Sequence, residues 1–127
     1  MSDLSQRATS FIVEVFREWS QPNDFVSRRF GDLYSERVTY YNMVKSRDEV
    51  VADKLGFLNR WPERSYQLRS GSLSVRCDRL PWSQCRIEGI VDWRVKSQER
   101  RSESSGSASF FYVVGLEGTS FKILAEQ

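Results

Sequence analysis

At 127 residues, 39% hydrophobic and 13% aromatic, the chain has the length of one domain and enough apolar side chain to bury a core. Its net charge of +2 is too small to mark a nucleic-acid binder by itself, and no apolar run approaches the ~18 residues a membrane-spanning helix needs. Histidine is absent, which removes Ser-His-Asp and Cys-His catalysis and histidine-bearing zinc sites. Two cysteines are too few for an all-thiolate zinc site, no glycine-rich phosphate loop occurs, and Met1 to Arg7 hold no apolar signal-peptide core.

Asp3 or Ser5 caps a predicted first helix, whose apolar positions Ala8, Phe11, Ile12, Val15, Phe16 and Trp19 recur at helical spacing. Gln21-Pro22-Asn23 ends it, and Asn23 is expected to cap a short helix from Asp24 to Phe30 that Gly31 stops. A single turn at Leu33-Tyr34 leads into a strand over Val38–Val44. Ser46 with Glu49 forms a capping box for the next helix. Its core-facing stripe is Val50, Val51, Leu55, Leu58 and Trp61, with the stem of Lys54 at the margin, and Pro62 ends it.

From Ser65 the period changes to two. Tyr66 and Leu68 open a strand, Ser70-Gly71-Ser72 reads as a bulge or bend, and Leu73, Val75 and Cys77 resume the alternation. After a turn at Asp78–Ser83, residues Cys85, Ile87, Gly89, Val91, Trp93 and Val95 form a buried face. They alternate with Arg86, Glu88, Ile90, Asp92, Arg94 and Lys96 on a mostly wet one. The polar run Ser97–Ser107 is expected to hold a hairpin turn, Phe110–Val114 a strand, Gly115–Gly118 a turn and Phe121–Leu124 the last strand. Helices first and a meander of strands after make the class α+β.

Cys77 and Cys85 flank the 78–83 turn. If paired residues sum to 162, the two lie opposite each other, within the Cα range a disulfide accepts. The alternative is two buried thiols in phase with Val75 and Ile87. As it stands the sequence reads as cytoplasmic. A disulfide, together with a removed signal peptide, would make it periplasmic. Residues 60–101 hold 10 Lys/Arg against 5 Asp/Glu, so the sheet is the basic part. Arg60, Arg64, Arg69, Arg76, Arg86, Arg94, Arg100 and Arg101, with Trp82 nearby, form either a solvated face or a weak, salt-dependent anionic contact.

The passages Leu33-Tyr34-Ser-Glu-Arg-Val38-Thr-Tyr40-Tyr41, Ser46-Arg-Asp-Glu-Val50 and Phe57-Leu-Asn-Arg-Trp61-Pro62, in this element order, resemble the nuclear transport factor 2-like superfamily, which includes SnoaL-like cyclases and ketosteroid isomerases. The resemblance covers nearly the whole chain, read as one SnoaL-like domain over 1–127. It implies a curved mixed or antiparallel sheet wrapped into a cone around N-terminal helices. It also implies a pocket on the concave face, a bacterial type of protein and a homodimer joined through the sheet.

In that pocket, ligand-lining aromatics would be Trp19, Tyr34, Tyr40, Tyr41, Trp61, Trp93 and Tyr112, with Phe110, unless these rings only fill the cone. Enzymes of the superfamily often use an Asp base with a Tyr donor, and Asp32 with Tyr34 or Tyr40 is the candidate set here. Asp92 should point outward and Asp53 is left open. No metal or cofactor is expected, and no specific nucleic acid. The expectation is a non-catalytic module for a small apolar ligand or for protein association. The alternative is a cofactor-free isomerase or cyclase of a small apolar carbonyl compound.

Overall fold

The structure, a computed structural model, describes residues 3–127. Helix α1 spans Asp3–Trp19 and buries Leu4, Ala8, Ile12, Val15, Phe16 and Trp19. Helix α2 (Asn23–Leu33) follows, then strands β1 (Tyr34–Tyr40) and β2 (Met43–Ser46), helix α3 (Arg47–Arg60), and strands β3 (Glu63–Leu68), β4 (Ser74–Asp78), β5 (Gln84–Ser97), β6 (Ser102–Glu117) and β7 (Ser120–Glu126). The strands form one curved sheet in the order β2-β1-β7-β6-β5-β3, with β4 also paired to β5. β1 and β7 run parallel and every other pair is antiparallel, so the sheet is mixed.

The helices lie against the concave face. Phe16 of α1 meets Phe110 edge-on at 5.0 Å and Tyr112 at 6.0 Å. Ser46 and Glu49 make the expected capping box of α3. Cys77 faces Cys85 in the register predicted, and a disulfide joins them across a Cα separation of 4.0 Å. Among the described residues no helix is long and apolar enough to cross a membrane.

Several local expectations are corrected. Helix α2 continues through Gly31 to Leu33, because Gly31 is exposed and nothing there forces a stop; no separate turn precedes β1. The predicted single strand over 38–44 is a hairpin instead. Tyr41 and Asn42 adopt φ of 49° and 68°, the left-handed pair that a two-residue hairpin loop requires. The polar run after Ser97 turns only at residues 98–101, and its serines belong to β6. Gly115 lies inside β6, and the final turn is Gly118-Thr119. The Gly71 bend is where β3 leaves β5 and β4 takes over; there the Ser72 hydroxyl accepts the Ile90 N–H at 3.1 Å.

Asn23 does not cap α2. Its side chain donates to the Leu58 carbonyl and accepts from Arg64. Arg64 is itself a correction, since it is only 6% exposed and belongs to no surface stripe. Its guanidinium donates to the carbonyls of Trp19 (3.0 Å), Gln21 (2.6 Å) and Trp61 (2.8 Å), and to Asn23 Oδ1 (2.6 Å). The last carbonyls of a helix have no intrahelical partner, and Arg64 supplies one at the ends of both α1 and α3.

Candidate functional site

A cavity of about 650 Å³ opens on the concave face between α1, α3 and strands β5 and β6. Trp19, Tyr40, Tyr41, Trp61, Trp93 and Tyr112 line it, as does Phe110. Trp93 lies across Gly106 on the neighbouring strand; a Cβ there would come within 3.0 Å of the indole. Tyr41 occupies the mouth, its ring edge-on to Tyr40 at 4.7 Å. The left-handed backbone of Tyr41, held by its N–H to the Glu126 carbonyl at 2.9 Å, is what aims that ring.

The floor holds a group that strand alternation does not reveal. Glu126 is 3% exposed and faces the cavity. In β7 the buried residues Phe121 and Ile123 predict Ala125 inside and Glu126 outside. The pairing steps from Val114↔Ile123 to Val113↔Ala125, which leaves Leu124 without an opposite residue. That bulge shifts the phase by one and turns Glu126 inward beside Tyr112. Leu124 folds over Gly115, where a Cβ would meet its Cδ1 at 2.7 Å. The β1 register shifts at the same level, so Tyr40 stands directly beside Glu126.

Both carboxylate oxygens of Glu126 are engaged. Tyr34 donates its hydroxyl to Oε1 at 2.6 Å, and Lys54 forms an ion pair with Oε2. The Lys54 ammonium also lies 4.8 Å from the Trp19 ring centroid and 5.5 Å from that of Tyr40. Lys54 sits at the core-facing stripe of α3; its position there is the one sequence sign that it enters the interior. Burial, with the Glu126 charge second, holds the Tyr34 phenol well above its ordinary range; burial does the same for Tyr112. Burial pushes Tyr66 up to about 12 and also raises Tyr41. All are therefore neutral donors at neutral pH. Among the described residues the hydroxyls of Tyr41, Tyr66 and Tyr112 have no protein partner.

Asp32 is corrected. It is exposed at the end of α2, pairs with Arg29 at 3.5 Å, and its carbonyl accepts from Lys122. The extra residues of α2 carry it to the solvent side. Tyr34 lies beneath the cavity floor, not on its wall. Asp53 lines the mouth and accepts the Tyr40 hydroxyl at 2.5 Å. Burial first, and that bond second, raise the Tyr40 phenol. Asp92 points outward to Arg69 and Ser107, and those hydrogen bonds lower its carboxyl. Among the described residues no cluster of three acidic or cysteine side chains is placed to hold a metal ion.

No protein-family model and no curated protein matches the sequence. Solved structures do. A proposed scytalone dehydratase from Novosphingobium aromaticivorans superposes with a TM-score of 0.74 at 13% identity, over 99% of this chain and 85% of that one. A nuclear transport factor 2-like protein from Salmonella enterica gives 0.74 at 8% identity, over 98% and 88%. This chain has the nuclear transport factor 2-like fold. Aln2 from a Streptomyces species agrees, with a TM-score of 0.75 at 8% identity over 99% and 89%. At these identities the likeness is one of fold. The nuclear transport factor 2-like cone places the cavity, while its chemistry comes from this chain's own Glu126, Lys54 and tyrosines.

Proposed function

We propose that the protein is a small-ligand-binding module whose cone holds a flat, uncharged, largely apolar molecule carrying an acceptor oxygen. The observation that carries this reading is the open aromatic cavity whose buried carboxylate is already saturated by Tyr34 and Lys54. Both oxygens of that carboxylate already have partners, and an ion pair closed on itself offers a ligand little net charge. The free hydroxyls of Tyr41, Tyr66 and Tyr112 suit a carbonyl or ether oxygen. The test is a titration of tryptophan fluorescence with a neutral naphthyl ketone. Saturable binding is expected, weakened at least about tenfold by Ala108→Trp, which fills the cavity from the sheet. Absence of saturable binding by the unaltered protein would sink the reading.

One observation favours catalysis as a second reading: the Asp53–Tyr40 pair at the mouth. The likeness to a proposed dehydratase is compatible with it. Asp53, rather than Asp32, would remove a proton next to a bound carbonyl, and a tyrosine hydroxyl would donate to the developing oxyanion. Deuterium uptake at that carbon in heavy water, abolished by Asp53→Asn, is its signature. Self-association through the sheet is part of the proposal, supported by the half-buried Ile90 and Phe111 on the outer face. Sedimentation of the purified chain tests it, and a monomer at every concentration would remove it. The Cys77–Cys85 bridge suits an oxidising compartment.

A further inference from the structure

The β4–β5 turn gathers features the cavity does not use. Leu80 is 85% exposed and Trp82 is 59% exposed. A lone exposed hydrophobe is ordinary, but here two share one short turn. The disulfide clamps the base of that turn, so its tip is presented already ordered. Trp82 Nε1 donates to Gln84 Oε1 at 3.0 Å, which draws the indole toward the outer face of β5.

The next outward residue of β5 is Arg86, and its direct antiparallel partner is Arg76. Like charges directly opposite one another destabilise a sheet unless something neutralises them. Elsewhere on this face Arg69 is met by Asp92 and Arg94 by Glu103, while Lys96 stands apart from the turn at the far end of β5. Arg100 is also occupied, donating to the Arg60 carbonyl and stacking on Trp61. Arg76, Arg86 and the turn's Arg79 are exposed and form no ion pair among the described residues, although Asp78 and Glu88 lie on the same strands. Three uncompensated guanidiniums stand beside a protruding leucine and tryptophan.

We propose that this turn docks on an anionic lipid bilayer. Leu80 and Trp82 enter the boundary between headgroups and acyl chains, and Arg76, Arg79 and Arg86 take the phosphates. Arginine pairs phosphate oxygens bidentately, and tryptophan favours that boundary. A projecting apolar tip fits a deformable lipid surface better than an acidic protein, which would have to supply a matching cavity.

The experiment is co-sedimentation of the full chain with phosphatidylcholine vesicles and with mixed phosphatidylcholine–phosphatidylglycerol vesicles, at low and high salt. Binding is expected to the mixed vesicles only, and to fall with salt. Each arginine near an anionic surface is worth roughly fivefold in affinity, so Arg76→Gln with Arg86→Gln should weaken binding roughly 25-fold. Leu80→Ser with Trp82→Ser should weaken it at least about tenfold. All four side chains are exposed, and an unchanged far-ultraviolet spectrum verifies folding. Failure to bind mixed vesicles at low salt overturns the proposal. So does mixed-vesicle binding that either double variant leaves intact. Capture of a soluble acidic protein without vesicle binding overturns it in favour of a protein partner.

Discussion

Two buried charges, Arg64 and Glu126, are handled in opposite ways. Among the described residues Arg64 meets no counter-ion. Three backbone carbonyls and an amide oxygen surround it, all fixed by the ends of α1 and α3 and the start of α2. Burial lowers its pKa, and the dipoles around it serve only structure. Glu126 meets a flexible ammonium and a phenol, beside an open cavity. A charge held by backbone dipoles joins elements rigidly. A charge held by side chains at a cavity can be re-solvated or re-paired when a ligand enters.

Substitution separates the two cases. Arg64→Leu removes the joint and strands four acceptors, at about 1 kcal/mol each, so a loss of about 4 kcal/mol is expected in urea unfolding. Arg64→Lys should recover less than half of it, because one ammonium cannot reach all four. Lys54→Met leaves Glu126 buried and unpaired, at a cost of about 3 kcal/mol. Adding Glu126→Leu to Lys54→Met removes the unpaired charge and should recover about 1 kcal/mol of that loss, while the stranded Tyr34 hydroxyl keeps the rest. If the double variant is no better than the single one, the pair is not the unit described here. Tyr34→Phe removes one charge-assisted hydrogen bond and should cost about 2 kcal/mol without closing the cavity.

Alkali gives the smallest and most local test. The phenols of Tyr34 and Tyr112 are raised above 10 in the folded state and ordinary in the unfolded one. Their contribution is therefore complete below pH 10 and is lost as pH rises above it, at up to about 1.4 kcal/mol per pH unit for each phenol. Phenolate absorbance from these two residues should appear only together with unfolding. Full ionisation of all the tyrosines near pH 10, with the helical spectrum intact, would contradict this.

Much of the fold is legible in the sequence because its signals are local. The capping box at Ser46, the alternation through Cys85–Val95 and the Cys77↔Cys85 register need only neighbouring residues to be read. What is not legible depends on the backbone departing from its period. Tyr41 looks like a strand residue, but it takes a left-handed φ at a hairpin. Asp32 looks well placed for the pocket mouth, but α2 runs through Gly31 and carries it outward. Arg64 reads as one arginine among many, since its partners Trp19, Gln21 and Asn23 lie far earlier in the chain. Glu126 is hidden by a bulge that no periodicity reports.

That bulge bears on how the last strand is to be matched with those of other proteins sharing the cone. A regular strand would need only one residue between the buried isoleucine and an inward acid; here Leu124 makes it two. Matched residue for residue with a regular strand, Glu126 would fall in an outward column and its role would vanish. A one-residue gap at Leu124 restores the correspondence, and Gly115, whose missing side chain makes room for that leucine, is the mark on the neighbouring strand that the gap belongs there. Deleting Leu124 should leave the acid on the floor of the cone, whereas filling Gly115 would crowd the surplus residue and favour turning the carboxylate out.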